Sequence, residues 1–141
     1  MVRNDAELIH AALEARQRAY APYSRYLVGA ALLCEDGTVF AGCNIENASY
    51  GATICAERTA LFSAVAAGQR RFRAIAIVSG PEETGDVLLP WPSPCGICRQ
   101  ALREFTDPAE FAVILARSEE IYRTFTLEQL LPESFGPDDL M

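Results

Sequence analysis

Basic residues are scarce in this sequence, and no run of them forms a positively charged stripe. The chain carries 12 Lys and Arg residues against 19 Asp and Glu residues, which gives a formal net charge of −7. Tight binding to nucleic acid depends on neutralising phosphates with basic groups. The composition therefore argues against a polynucleotide partner and favours a neutral small molecule as the ligand.

Long apolar runs are also missing. No stretch approaches the roughly 18 apolar residues that a membrane span requires. The N-terminus leads into a polar helical pattern and lacks the apolar segment of a signal peptide. We therefore expect no membrane association and a cytoplasmic location.

Histidine occurs once, at His10, within a predicted N-terminal helix. We expect His10 to be an ordinary surface or packing residue. A closed structural zinc site needs four protein ligands, usually Cys or His. The scarcity of histidine therefore directs attention to the cysteines.

Three of the five cysteines stand in two short motifs, Cys55-Ala56-Glu57 and Pro94-Cys95-Gly96-Ile97-Cys98. Cys95 and Cys98 are three apart, so on a helix their side chains share one face. Three thiolates can hold zinc at three corners of a tetrahedron and leave the fourth for water. The joint pattern matches a zinc deaminase signature in which Cys replaces the first His.

Glu57 is the proton-transfer candidate of this pattern. Its spacing of two from Cys55 would separate the side chains by about 200° on a regular helix, which argues against both binding one ion. A flanking general base is the better interpretation. A lone C-x-x-C also occurs in structural zinc sites and redox pairs, and both alternatives stay open at this point.

The other two cysteines, Cys34 and Cys43, could in principle pair. A two-residue hairpin turn at Asp36-Gly37 would place Cys34 opposite Val39 and Cys43 opposite Ala30. The two thiols would then not face each other. We expect both to be reduced core residues.

The hydrophobic pattern predicts a single domain over 1–141, which can bury about two-thirds of its unfolded surface. Helices are expected over 4–21, 55–67, 95–105 and 127–131, and strands over 26–34, 39–44, 74–79, 111–116 and 121–126. The last two strands are joined by a short turn and should be antiparallel. The predicted fold is an α/β sandwich with one mixed five-stranded sheet and both cysteine-bearing helices on one face.

Several runs resemble the small homotetrameric zinc-dependent cytidine deaminases, a branch of the cytidine/deoxycytidylate deaminase family. They are APYS (21–24), VGAALL (28–33), DG (36–37), GCNIENASY (42–50), CAERTA (55–60) and PCGICRQ (94–100). The resemblance covers nearly the whole chain. It implies a three-layer α/β/α fold, one zinc ion per chain, and hydrolysis of cytidine and deoxycytidine to uridine and deoxyuridine plus ammonia in pyrimidine salvage.

The resemblance also assigns roles to individual residues. It implies that Cys55, Cys95 and Cys98 bind the metal, that a zinc-bound hydroxide attacks C4 of the pyrimidine, and that Glu57 shuttles the protons. The substrate-binding residues that it implies are Asn44 and Glu46 at the ribose 3′ hydroxyl, the Ala56 N–H at the pyrimidine O2, Tyr26 against the base in place of a Phe, and Tyr50 and Phe135 at a neighbouring subunit's pocket.

Two positions need separate comment. Three thiolates and Zn²⁺ sum to a charge of −1, and Arg58 could offset it by hydrogen-bonding the sulfurs; the alternative is a surface salt bridge. The Trp91-Pro92 segment is longer than usual for the family and leaves the shape of the pocket rim open.

Other functions fit parts of the same pattern. A related enzyme could act on an aminoglycosyl nucleoside of the blasticidin type, and Asn44 and Glu46 argue instead for an unmodified ribose. A nucleic-acid-editing deaminase conflicts with the acidic composition. A zinc-stabilised binding module would have no need of Glu57.

Overall fold

The computed structural model describes residues 4–85 and 87–141. Its helices are α1 (Asp5–Arg16), α2 (Ala56–Ala66), α3 (Gly96–Arg103) and α4 (Leu127–Leu130), and its strands are β1 (Tyr26–Cys34), β2 (Val39–Cys43), β3 (Phe72–Pro81), β4 (Ala112–Ala116) and β5 (Tyr122–Thr126). Each predicted element is present. No helix within these ranges is long and apolar enough to cross a lipid bilayer.

The five strands form one mixed sheet in the order β2-β1-β3-β4-β5. Strand β1 pairs antiparallel with both β2 and β3, whereas β3 and β4 are parallel. The parallel pair is joined through α3, because a parallel connection needs a crossover. The antiparallel pairing of β4 with β5 confirms the prediction.

Helices cover both faces of the sheet, so the fold has the three layers that the resemblance implied. Along β1, Ala30 and Leu32 face α2, while Ala31 between them faces α1, as the two-residue period of a strand requires. Leu102 of α3 lies in the same apolar cluster as α2. The central strands are therefore buried on both faces, and the two cysteine-bearing helices share one layer.

Close backbone approach lets α2 rest directly on the sheet. A Cβ atom added at Gly42 of β2 would lie 2.5 Å from the Ala60 nitrogen of α2, a distance that side-chain atoms do not tolerate. Only glycine leaves room for the helix there. The register of α2, and with it the position of its N-terminal residues, is thus fixed against the strand.

The first helix is shorter than predicted. It begins after Asn4, whose side chain accepts a hydrogen bond from the Glu7 N–H, and it ends at Arg16 instead of reaching residue 21. The following amides turn to i−3 carbonyls, and the Tyr20 N–H then donates to the Asn44 carbonyl at 3.0 Å. The chain therefore leaves the helix to pair with the segment after β2.

The predicted hairpin register between β1 and β2 was wrong by one residue. Leu33, not Cys34, lies opposite Val39, and Gly29, not Ala30, lies opposite Cys43. The turn holds three residues and places Gly37 at φ +92°, a left-handed conformation that suits glycine. Cys34 and Cys43 nevertheless remain unpaired free thiols, as expected.

His10 is confirmed as a surface residue. Its ring is 57% exposed and contacts Glu14 on the same helix and Glu119 in the turn between β4 and β5. The contact with Glu119 joins α1 to the turn between β4 and β5. It lies outside any cysteine cluster, so His10 supplies no fourth ligand to the three thiols.

Candidate active site

Three thiols converge where α2 and α3 begin. Cys55 caps α2, Cys95 caps α3, and Cys98 lies in the first turn of α3. The Cys55 and Cys95 sulfurs are 3.7 Å apart, the Cys95 and Cys98 sulfurs are 3.3 Å apart, and all three lie within 4.8 Å of one another. Zinc–sulfur bonds of about 2.3 Å in tetrahedral geometry require sulfurs about 3.8 Å apart. The donor set and its spacing therefore fit a zinc ion.

The start of α2 favours an ionised sulfur at Cys55. Unpaired N–H groups give a helix N-terminus partial positive charge. Hydrogen bonds from Cys98 and from Arg58 hold the pKa of the Cys55 thiol well below its usual range. A thiolate is the form that binds metal, so the local field prepares the ligand.

Arg58 lies beside the thiol cluster. Its Nη2 donates to the Cys55 sulfur at 3.4 Å, and hydrogen bonds with Cys55 and Cys98 raise the pKa of its guanidinium. The Arg58 Nε is buried and, among the described residues, has no acceptor of its own. The positive charge of Arg58 is therefore well placed to balance negative charge on the three sulfurs.

Glu57 is buried next to the thiols, with 4% of its surface exposed. Burial, together with the charge of Cys55, raises the pKa of its carboxyl to about 6. A carboxyl with a pKa in this range can both accept and return a proton near neutral pH. Its place on α2 follows from the two-residue spacing after Cys55.

A cavity of about 330 Å³ opens from these residues between β1, β3 and the loop before α3. Glu57, Cys55 and Cys95 lie on its wall together with two of the predicted binding residues, Tyr26 and Asn44. Its other lining residues are Val28, Thr53, Ile54, Ile77, Ser79, Trp91 and Ser93. The cavity is of the size that binds small molecules.

Tyr26 and Asn44 are both held by the strands. The Tyr26 hydroxyl lies 3.1 Å from the Ser79 hydroxyl on β3, which identifies the partner of the oxygen that distinguishes Tyr from Phe. The Asn44 amide donates to the Tyr26 carbonyl at 2.8 Å and accepts from the Val28 N–H at 2.9 Å. Its orientation at the cavity wall is therefore fixed by the backbone of β1.

Glu46 and Tyr50 line a separate, open depression with Tyr23, Ser24 and Thr53. The Glu46 carboxylate accepts hydrogen bonds from the Ser24 hydroxyl and from the Tyr23 and Ser24 N–H groups. These hydrogen bonds lower the pKa of Glu46, and the one from the Ser24 hydroxyl contributes most. Thr53 also lines the first cavity, so the two hollows are adjacent.

Phe135 is not brought to the cavity within one chain. It is 57% exposed and lines a hollow near the C-terminus with Arg103 and Leu131. Gln100 of α3 donates to the Phe135 carbonyl at 2.8 Å and holds the segment in place. Ala56, in contrast, is the first residue of α2, where helix geometry leaves its N–H without an intrahelical acceptor.

Sequence reasoning missed several lining residues. Ser79 was read only as the end of a buried strand, and Thr53 carried no signal of its own. The loop with Trp91 was noted for its length, but nothing in the sequence placed the ring in the cavity. The available clue was the position of Trp91, four residues before the predicted metal ligand Cys95.

Comparison with known proteins gives a consistent result. The profile described as "Cytidine and deoxycytidylate deaminase zinc-binding region" matches residues 2–115. The chain belongs to this family. It is therefore an enzyme, a hydrolase of the deaminase class, and zinc is its cofactor, as predicted from the three thiols.

Individual relatives cover almost the full length. A cytidine deaminase of Sporosarcina psychrophila is 47% identical over 134 residues, which cover 95% of this chain and 93% of that protein. One of Halalkalibacterium halodurans is 49% identical over 94% of this chain and 95% of that protein. The crystal structure of a cytidine deaminase from Burkholderia pseudomallei matches with a TM-score of 0.84 at 47% identity, over 94% of this chain and 100% of that one.

Proposed function

We propose that this protein hydrolyses cytidine and deoxycytidine to uridine and deoxyuridine with release of ammonia. The observation that carries the proposal is the buried Glu57 carboxyl at the same cavity wall as Cys55 and Cys95. A metal site with only a structural role has no use for a proton-transfer group there. The named relatives, all cytidine deaminases, support the same substrate class.

Cys55, Cys95 and Cys98 would hold the zinc ion. When bound, zinc supplies the Lewis acidity that makes water a nucleophile near neutral pH. Three thiolates leave the site one unit negative, which weakens that acidity. The Arg58 guanidinium, 3.4 Å from the Cys55 sulfur, would draw electron density from the ligands and restore part of it.

Glu57 would carry the protons of the reaction. It would accept one proton from the attacking water and deliver it to N3 of the pyrimidine. It would then take the proton of the hydroxyl now bonded to C4 and deliver it to the amine, which leaves as ammonia while the C4 oxygen becomes the carbonyl of uridine. The raised pKa of about 6 suits a group that must switch between base and acid. Burial also keeps bulk water from exchanging with the proton in transit.

The remaining cavity residues would orient the nucleoside. The Ala56 N–H would meet the pyrimidine O2, and the Tyr26 ring would pack on the base. Asn44 keeps one amide hydrogen beyond the one given to Tyr26, which is available for the ribose 3′ hydroxyl. Glu46, in the adjacent depression, would accept from the same hydroxyl.

We also propose that the working enzyme is a homotetramer of single-domain chains spanning 1–141. Tyr50 is 76% exposed and Phe135 is 57% exposed. Exposed aromatic rings of this kind are available for contact with another chain. A neighbouring subunit would bury them and extend each cavity. The cytoplasmic location expected from the sequence stays a prediction.

Purified protein incubated with cytidine, deoxycytidine, adenosine and blasticidin tests the proposal. Ultraviolet absorbance should report turnover of the first two, with ammonia released in equal amount. Turnover of adenosine or blasticidin alone would contradict the proposed substrate. No turnover of any substrate by zinc-loaded protein would contradict the proposed reaction.

A further inference from the structure

The chain's single tryptophan lines the cavity, and the proton chemistry gives it no role. Trp91 stands in the loop between β3 and α3, four residues before Cys95. Ser93 and Cys95 from the same loop share the cavity wall with it. A large flat ring therefore lies in the wall that leads directly to the metal ligands.

The backbone before Trp91 is anchored on both sides. The Leu89 N–H donates to the Arg117 carbonyl at 3.0 Å, and the Arg117 Nε donates back to the Leu89 carbonyl at 2.6 Å. Leu89 is fully buried. A Cβ at Gly80 would lie 2.9 Å from Pro90, so the loop packs directly on the end of β3. The backbone that leads into Trp91 is therefore held in a fixed position.

Two arginines hold the ring itself. The Arg123 guanidinium carbon lies 4.0 Å from the centre of the Trp91 ring, and that of Arg117 lies 5.7 Å from it. Cations at these distances are attracted by the π-electrons of an indole ring. Neither arginine lines the cavity, so both act on the tryptophan from outside it. The two guanidinium groups therefore support the ring at the cavity wall.

The proposed chemistry indicates which part of the base meets this wall. O2 would bind the Ala56 N–H and N3 would face Glu57, and both groups belong to α2. The C5–C6 edge of a pyrimidine is opposite the O2–N3 edge, so it points away from α2. C4 must lie at the three thiols, and C5 is the ring atom next to it on that far side. Trp91, Ser93 and Cys95 line the cavity from the loop that carries a thiol ligand, so we assign this stretch to the wall beside C5.

On this geometry, which rests on the proposed function, we propose that Trp91 is a specificity-determining residue. Its ring sets the space beside C5 and restricts the enzyme to cytosine nucleosides without a bulky C5 substituent. Arg123 and Arg117 are positioning residues for the ring. Cytidine and its 2′-deoxy form fit, whereas 5-iodocytidine would collide with the wall.

Selectivity between cytidine and 5-iodocytidine tests the proposal. Removing bulk from an apolar wall typically changes discrimination by about 10–200-fold, so Trp91→Ala should raise the kcat/KM ratio of 5-iodocytidine to cytidine at least about tenfold. Trp91→Phe should give an intermediate ratio. A role confined to stability would lower both rates alike and leave the ratio unchanged in both variants, which would overturn the proposal.

Fluorescence supplies a second measurement that needs no turnover. Because Trp91 is the sole tryptophan, its emission should change on titration with the product uridine. Arg123→Met should alter the emission and shift the selectivity ratio in the direction of Trp91→Ala. The control Arg73→Gln, on an exposed residue that lines a different hollow, should do neither.

The two proposals fail in different ways. Wild-type protein that deaminates cytidine but shows no uridine-dependent emission, or an unchanged ratio in Trp91→Phe, overturns the role of Trp91 and leaves the proposed function intact. Wild-type protein that deaminates no cytosine nucleoside overturns the proposed function itself. If Trp91→Ala does not fold, the selectivity of Trp91→Phe and the uridine titration still test the proposed role of Trp91.

Discussion

The Tyr26 hydroxyl lies 3.1 Å from the Ser79 hydroxyl and joins β1 to β3 at the wall of the cavity. Ser79 pairs with Val28, two residues along β1 from Tyr26, so the two side chains lie on the same face of the sheet. The tyrosine hydroxyl therefore has a structural partner on β3. We expect the ring, and not the hydroxyl, to contact the base of the proposed substrate.

Tyr26→Phe should consequently leave kcat/KM for cytidine nearly unchanged and cost about 1 kcal/mol of unfolding free energy from the lost hydrogen bond. Chemical denaturation and steady-state kinetics measure the two effects. Ser79→Ala is the matched control, and the double variant should cost less than the sum of the single ones. A large fall in kcat/KM for Tyr26→Phe alone would show that the hydroxyl contacts substrate.

Arg58→Gln should slow the chemical step and change metal retention while the fold stays intact. The reason is that glutamine keeps hydrogen-bonding capacity but removes the positive charge 3.4 Å from the Cys55 sulfur. Single-turnover rates, and zinc content after dialysis against a chelator, check the prediction. Arg70→Gln serves as the control, since Arg70 donates to the backbone carbonyls of Val65 and Gln69 near the C-terminal end of α2. Equal behaviour of the two variants would make Arg58 an ordinary surface arginine.

Much of this arrangement could be read from the sequence because its causes are local. The spacing of Cys55, Glu57, Cys95 and Cys98 placed the candidate site residues at the starts of two helices, and short apolar runs bounded by turn residues indicated the strands. The hairpin register could not be read, because a three-residue turn with left-handed Gly37 and a two-residue turn suit the same letters. The early end of α1 depends on a long-range bond from Tyr20 to Asn44.

Other features lie beyond local patterns altogether. The ring position of Trp91 depends on Arg117 and Arg123, more than twenty residues further along the chain. Asn44 and Glu46, two residues apart, line different hollows, and Ile45 between them pairs with Tyr20 and Ile54 from distant parts of the chain. Phe135 lies away from the cavity within one chain, so its proposed role depends on a second subunit, which single-chain patterns do not encode.

Cys34 gives a prediction that depends on pH. Burial, and then the nearby charge of Asp36, raises the pKa of this thiol from 9.0 to about 11. A group with a raised folded-state pKa contributes its stability below the unfolded pKa and loses it as pH rises toward the folded value. The stability advantage of wild type over Cys34→Ala should therefore shrink between pH 9 and 11, as measured by denaturant titration. A constant difference across that range would contradict the burial argument.

Phe135→Ala tests the shared site. If Phe135 completes a neighbouring subunit's cavity, its truncation should raise KM for cytidine more than it lowers kcat, and should weaken tetramers detected by light scattering. Leu140→Ala is the control, since Leu140 is another exposed apolar residue of the same C-terminal segment. A fully active wild-type monomer, or an unaltered KM in Phe135→Ala, would refute the shared cavity.

The proposed reaction depends most directly on Glu57. Protons must reach N3 and the leaving nitrogen near neutral pH, and the bound metal cannot carry them. General acid–base groups contribute about 10²–10⁴-fold, and this one serves more than one transfer, so Glu57→Ala should lower kcat at least that much. Zinc content should stay the same, because the proposed ligands are the three thiols and Glu57 lies outside that group.

Glu57→Gln is the matched variant for the same residue. It keeps the size of the side chain in a site where only 4% of the surface is exposed, so it separates lost proton transfer from a packing defect. Both variants should lose kcat together, and nucleoside binding should survive or tighten if the carboxylate strains the bound ground state. Loss of zinc in Glu57→Ala would instead make the carboxylate a ligand. Retention of most activity in either variant would contradict the proton-transfer mechanism.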